Sequence, residues 1–140
     1  MTIAVDFDGT IVTHAYPAIG KPIPFAIDTL KRLAQEGHQL ILWSVREGQL
    51  LQDAIDYCKE RGLEFYAANT NFPGEEGIHD GMTARKLTAD LFIDDRNLGG
   101  IPDWGIIYQM VRSGRCYTPP VDLIPQEIPV KRSWWQKIFS

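Results

Sequence analysis

Cysteine is scarce: of 140 residues only Cys58 and Cys116 are cysteines, and they stand in unrelated contexts. They supply neither a disulfide framework nor a zinc-ligand cluster, and such usage suits a reducing compartment. Long apolar runs are also missing. No stretch approaches the ~18 apolar residues that a membrane helix needs, and the opening Thr2-Ile3-Ala4-Val5-Asp6 has no basic region or signal-like apolar core. Membrane spanning and secretion are therefore not expected, and a cytoplasmic location is. Positive charge does not dominate: 14 Lys and Arg stand against 18 Asp and Glu, a net charge of −4, which argues against nucleic acid as the main partner. There is no internal repeat and no low-complexity block.

What is present is the profile of one globular domain, 44% hydrophobic and 23% charged. A chain of this size buries roughly two-thirds of its unfolded surface, enough for a core without staples. The charge is uneven. Residues 1–111 hold 9 basic and 16 acidic groups, whereas 112–140 hold 5 and 2, so the body is −7 and the tail +3. Four of the nine prolines lie between Pro119 and Pro129. The division is a domain over 1–115 and an extended Pro-rich tail over 116–140. Trp134, Trp135 and Phe139 beside Lys131, Arg132 and Lys137 suit docking on the body or on another subunit better than a short membrane anchor.

Periodicity gives the architecture. Thr2–Asp6 and Gln39–Trp43 are apolar, strand-like runs, Leu63–Ala67 reads as a third strand and Leu91–Ile93 as a fourth. Between them Phe25, Ala26, Ile27, Leu30, Leu33 and Ala34, and then Leu50, Leu51, Ala54, Ile55 and Cys58, recur at helical spacing and stop at Gly37 and Gly62. A short helix over 83–87 and another over Asp103–Arg112 complete the alternation. Strands alternating with helices predict a Rossmann-like three-layer α/β/α sandwich with a mainly parallel sheet and helices on both faces. Ligands bind beyond the carboxyl ends of such strands, where Asp6, Ser44 and Asp94 fall.

Asp6-Phe7-Asp8-Gly9-Thr10 is the most informative segment. Residues two apart leaving a strand project to one side, so Asp6 and Asp8 are expected to converge, with Gly9 allowing a turn close to a ligand. Adding Asp94 or Asp95 makes an all-oxygen acid cluster that requires protons or a hard divalent cation, Mg²⁺ before zinc or copper. With Ser44 as hydroxyl donor and Lys86 as positive charge, such a site surrounds a phosphoryl group with hydrogen bonds and positive potential. One carboxylate is then a competent nucleophile and another a general acid–base.

Taken in order, Asp-x-Asp-Gly-Thr at 6–10, an apolar strand ending in Ser44, Lys86 ahead of a strand, and Asp94-Asp95 after it resemble the motifs of the haloacid dehalogenase-like (HAD) hydrolases. The resemblance spans residues 6–95 and leaves the tail uncovered. It implies Asp6 as nucleophile and Asp8 as general acid–base, with the Asp8 backbone carbonyl on Mg²⁺. It also implies Ser44 on the phosphoryl group, Lys86 paired with Asp6 and phosphate, and Asp94 as the further metal ligand, with Asp95 binding the metal through water or orienting Lys86. Arg85 is the rival to Lys86. Phe7, Ser44, Arg46 and Lys86 are the candidate substrate-binding residues, Arg46 facing either an anionic substrate group or a surface ion pair.

The intervals Ile11–Pro22 and Ala68–Met82 are too short to fold the cap domain that the family commonly inserts there. A small capless HAD protein is implied, its open site serving a bulky substrate or taking a lid from a neighbouring subunit in a homo-oligomer. His14, Tyr16 and Lys21 fall where the family has a mobile flap. The expected function is a Mg²⁺-dependent phosphomonoester hydrolase working through an aspartyl-phosphate on Asp6, with a small phosphorylated metabolite as partner. The alternatives are a receiver-like phospho-acceptor domain, whose motif order differs, and a non-catalytic HAD-fold binding protein.

Overall fold

A computed structural model of the chain describes residues 1–75 and 86–116. Through them run β1 (Thr2–Val5), α1 (Ala26–Gln35), β2 (Gln39–Leu42), α2 (Gly48–Glu60), β3 (Ala67–Ala68), β4 (Leu91–Ile93) and α3 (Trp104–Ser113). The strands form one sheet in the order β3-β2-β1-β4, every pair parallel. This is a Rossmann-like α/β arrangement, as the alternation of apolar runs and helical periodicity predicts.

Parallel strands are covered on both faces, which is why their sequences are apolar at successive positions. Ile3, Val5, Leu40, Leu42 and Ile93 point to one face, where they pack with Leu30 and Leu33 of α1, Ala54 and Cys58 of α2, and Trp104, Ile107 and Val111 of α3. The alternate residues Ala4 and Ile41 point the other way, to Ala67 and Leu87, with Trp43, Ala89 and Phe92 against them. All three helices thus lie on one face, and among the described residues the second face carries none. Of the expected helix over 83–87, residues 83–85 lie outside the described residues, and Lys86 and Leu87 are not helical.

The third strand departs from its expected bounds. After α2 the Gly62 N–H donates to Lys59 O at 2.9 Å and the Leu63 N–H to Cys58 O at 2.9 Å, with Gly62 at φ 85°. That paired closure is a Schellman motif, which needs a left-handed residue and an apolar one after it. Leu63 is therefore spent on the helix end, buried in the core, and the strand beside β2 is Ala67–Ala68, entered by the Tyr66 N–H donating to Leu40 O at 2.8 Å. Tyr108 Oη of α3 donates to Glu36 Oε1 at 2.6 Å, tying α3 to the end of α1. Cys116, the last described residue, packs against the core. The tail beyond it lies outside the described residues. No helix among the described residues is long and apolar enough to cross a membrane.

Leu42 is fully buried at the centre of the helix-covered face. Leu42→Ala should cost about 2–5 kcal/mol in urea unfolding. A negligible cost would place the packing centre elsewhere.

Candidate active site

The chain steps outward from β1 to β2 and β3, then returns to set β4 on the other side of β1. The strand order reverses between β1 and β4, and ligands bind such sheets at the carboxyl ends of the strands beside that reversal. Asp6 follows β1 directly, its N–H donating to Ile93 O at 3.0 Å, and Asp94 and Asp95 follow β4. One oxygen from each of these three carboxylates lies within 4.8 Å of the others. The expected convergence of the first motif with the acid pair is thus present for Asp6, Asp94 and Asp95.

Past Asp6 the chain stops being a strand and winds round one carbonyl. The N–H groups of Thr10, Ile11 and Val12 all donate to Phe7 O, at 3.3, 2.9 and 3.2 Å. Gly9 sits at φ 88°, where a Cβ would collide with His14 Nε2 and Asp95 Oδ2. Glycine is needed there twice over, for its conformation and for the close approach. Thr10 is fully buried and joins the two acid loops: its Oγ1 donates to Asp6 Oδ2 at 3.1 Å and accepts from the Asp95 N–H at 3.1 Å. Trp104 Nε1 anchors this turn by donating to Thr10 O at 3.2 Å. His14 Nε2 donates to Asp95 Oδ2 at 2.7 Å, and Asp94 Oδ1 accepts the Arg96 N–H at 2.9 Å, closing a local turn.

Crowding shows in the electrostatics. Burial, followed by repulsion from Asp94, pushes the Asp6 carboxyl up to about 7, although the Phe7 N–H and Thr10 stabilise its ionised form. Asp95 is held below the usual carboxylate range. Burial works against this, but the hydrogen bond from His14 and the neighbouring Asp6 and Asp94 carboxyls outweigh it. Among the described residues Asp95 Oδ1 is buried and receives no hydrogen bond. Three close carboxylates, one with an unsatisfied buried oxygen, fit a hard divalent cation such as Mg²⁺.

Asp8 does not join them. Its carboxylate accepts from Arg46 Nε at 2.8 Å and from Arg46 Nη2 at 2.7 Å, a bidentate pair. Two-residue alternation holds only along a strand, and the strand has ended at Val5. Arg46 is itself fully buried, so it neither meets a substrate anion nor forms a surface ion pair. It donates further to Pro17 O at 3.1 Å and Ala18 O at 2.8 Å, and lies 5.1 Å from the Phe7 ring centroid and 5.2 Å from that of Tyr16. Hydrogen bonding to Asp8, opposed by burial, pushes the guanidinium pKa up further. Phe7 is likewise a core residue, its ring set edge-on to Tyr57, and cannot present a side chain to substrate.

Ser44 is half-buried at the neighbouring strand end, its N–H donating to Asn69 Oδ1 at 2.8 Å and its Oγ accepting from the Arg46 N–H at 3.1 Å. Among the described residues its hydroxyl proton is not donated. Asn69, at φ 55°, also donates to Arg46 O at 3.2 Å and so clamps the loop after β2. Lys86 does not reach the acids. It is exposed, with Nζ 5.4 Å from the Phe92 ring centroid on the face opposite α1, α2 and α3. Arg85 lies outside the described residues. Tyr16 is exposed above Arg46, and the Lys21 N–H donates to Thr13 Oγ1. Sequence reasoning missed Thr10 and Asn69 as site residues. Thr10 was visible inside the first motif, whereas nothing but a left-handed-tolerant residue type marked Asn69.

The chain is similar to a solved structure of a conserved protein coded by a locus from Bacteroides thetaiotaomicron, with 68% sequence identity and a TM-score of 0.75. The match covers 81% of this chain and 91% of that one, and the chain belongs to the family of that conserved protein. No protein-family profile and no curated protein matches it.

Two outcomes follow from this arrangement. An acid whose pKa rises on folding contributes stability at low pH and loses it as pH climbs through the raised value. With metal chelated, Asp6→Asn should therefore raise the thermal midpoint at about pH 8 and leave it nearly unchanged at about pH 3, below the unfolded value of 3.8. Equal midpoints at both would mean that Asp6 is not desolvated. Arg46→Met, which strands the Asp8 charge, should cost about 3–5 kcal/mol in denaturant unfolding, and a loss near zero would show that the pair is exposed to water.

Proposed function

We propose that the chain is a Mg²⁺-dependent phosphoryl hydrolase of the HAD type, acting through an aspartyl-phosphate on Asp6. The observation that carries this reading is the meeting of Asp6, Asp94 and Asp95 at the β1–β4 switch point. The order of strand ends supports it too: Asp6 after β1, Ser44 after β2, Asp94-Asp95 after β4. So does the short segment after the first motif, which has only isolated bridges from Val12 to Asp8 and Pro22 and no inserted cap.

Asp6, Asp94 and Asp95 would hold the cation, with the Asp8 backbone carbonyl as the resemblance implies. When bound, the cation neutralises phosphate charge and favours the ionised Asp6. An Asp6 oxygen then attacks phosphorus as the bond to the leaving oxygen breaks. Thr10 orients Asp6 through the hydrogen bond it donates, and the undonated Ser44 hydroxyl proton is available to a phosphoryl oxygen. Water completes the cycle, releasing inorganic phosphate and the Asp6 carboxylate. Lys86 would need to move off the Phe92 ring to serve as the resemblance implies. An uncapped site suits a bulky substrate, or a lid from a second copy.

Purified protein should release phosphate from an aryl phosphate with Mg²⁺, lose this with chelator, and fall to background in Asp6→Asn. Release that survives Asp6→Asn would contradict the nucleophile.

A further inference from the structure

The departure of an ordinary alcohol from phosphorus requires a proton, because alkoxide is a poor leaving group at neutral pH, and a positioned acid supplies about 10²–10⁴-fold in rate. Asp8, two residues after the nucleophile, is the residue to which the resemblance gives that task. Here both of its oxygens accept from the Arg46 guanidinium, which is fully buried and held in turn by the carbonyls of Pro17 and Ala18. The pair joins the loops after β1 and β2, and Asn69 adds the loop after β3. Turning Asp8 toward a leaving oxygen would break two charge-assisted hydrogen bonds and leave a buried cation unpaired. Among the described residues the other acids at the crevice are Asp94, which accepts the Arg96 N–H, and Asp95, which accepts from His14, and the reading above gives both to the cation.

Resting on the aspartyl-phosphate reading above, we infer that the site serves phosphoryl donors whose leaving group departs as a stable anion, acyl and aryl phosphates, and not alkyl phosphates. In the first step an Asp6 oxygen bonds to phosphorus while the P–O bond to the leaving group breaks. The electron pair leaves with the acyl or aryl oxygen as carboxylate or phenolate, so no proton is needed. In the second step water bonds to phosphorus and the P–O bond to Asp6 breaks. Asp6 returns as carboxylate and the proton of the attacking water passes to solvent.

The test is phosphate release by the full chain with Mg²⁺ from acetyl phosphate, nitrophenyl phosphate, phenyl phosphate and glycerol phosphate. The expected rates fall steadily with leaving-group basicity, glycerol phosphate at least about 10²-fold below nitrophenyl phosphate. In Asp8→Asn the slope of log rate against leaving-group pKa should match that of the native chain. Alkyl and aryl donors within a few-fold of each other would overturn the inference and leave the aspartyl-phosphate reading standing, as would a slope that steepens in Asp8→Asn. Silence on every donor, with no phosphoryl group on Asp6, would overturn both.

Discussion

Like charges brought together in a partly buried crevice repel, and the carboxyl edge of this sheet is organised around holding three of them in place. Strand order brings Asp6 beside Asp94 and Asp95. Thr10 links the two loops, Trp104 pins Thr10 to α3, and His14 satisfies one Asp95 oxygen while the other stays bare. Such an arrangement costs stability, and in a fold of modest size that cost points to use, since perturbed carboxylates gather at functional crevices.

The second constraint is the Arg46–Asp8 pair. Its members lie 38 residues apart in sequence and are buried, Arg46 fully, and the pair acts as a rivet through the loops that flank the acid cluster. Isolated buried ion pairs are weak sources of net stability, so the pair is better understood as fixing loop geometry than as strengthening the fold. Its chemical consequence is that two aspartates two residues apart have opposite fates. Asp6 is crowded by acids and Asp8 is neutralised by a cation.

Much of the fold was legible because its strands are short apolar runs and its helices carry one-sided periodicity ending at Gly37 and Gly62. Strand β3 was misplaced because Leu63 looks like a strand residue but closes the α2 terminus. The acid cluster was legible through its strand-end positions. The fate of Asp8 was not, since strand alternation ends at Val5 and the backbone then turns round the Phe7 carbonyl. Pairing of Asp8 with Arg46, and of Ser44 with Asn69, is tertiary and leaves no local pattern.

The central claim is that Asp6 becomes phosphorylated at the β1–β4 switch point. Acid-quenching the full chain during turnover of acetyl phosphate with Mg²⁺, then sequencing its peptides by mass spectrometry, tests it most directly. The account predicts one phosphoryl group, on Asp6. A phosphoryl group on another residue, or an unmodified chain while phosphate is being released, would contradict it.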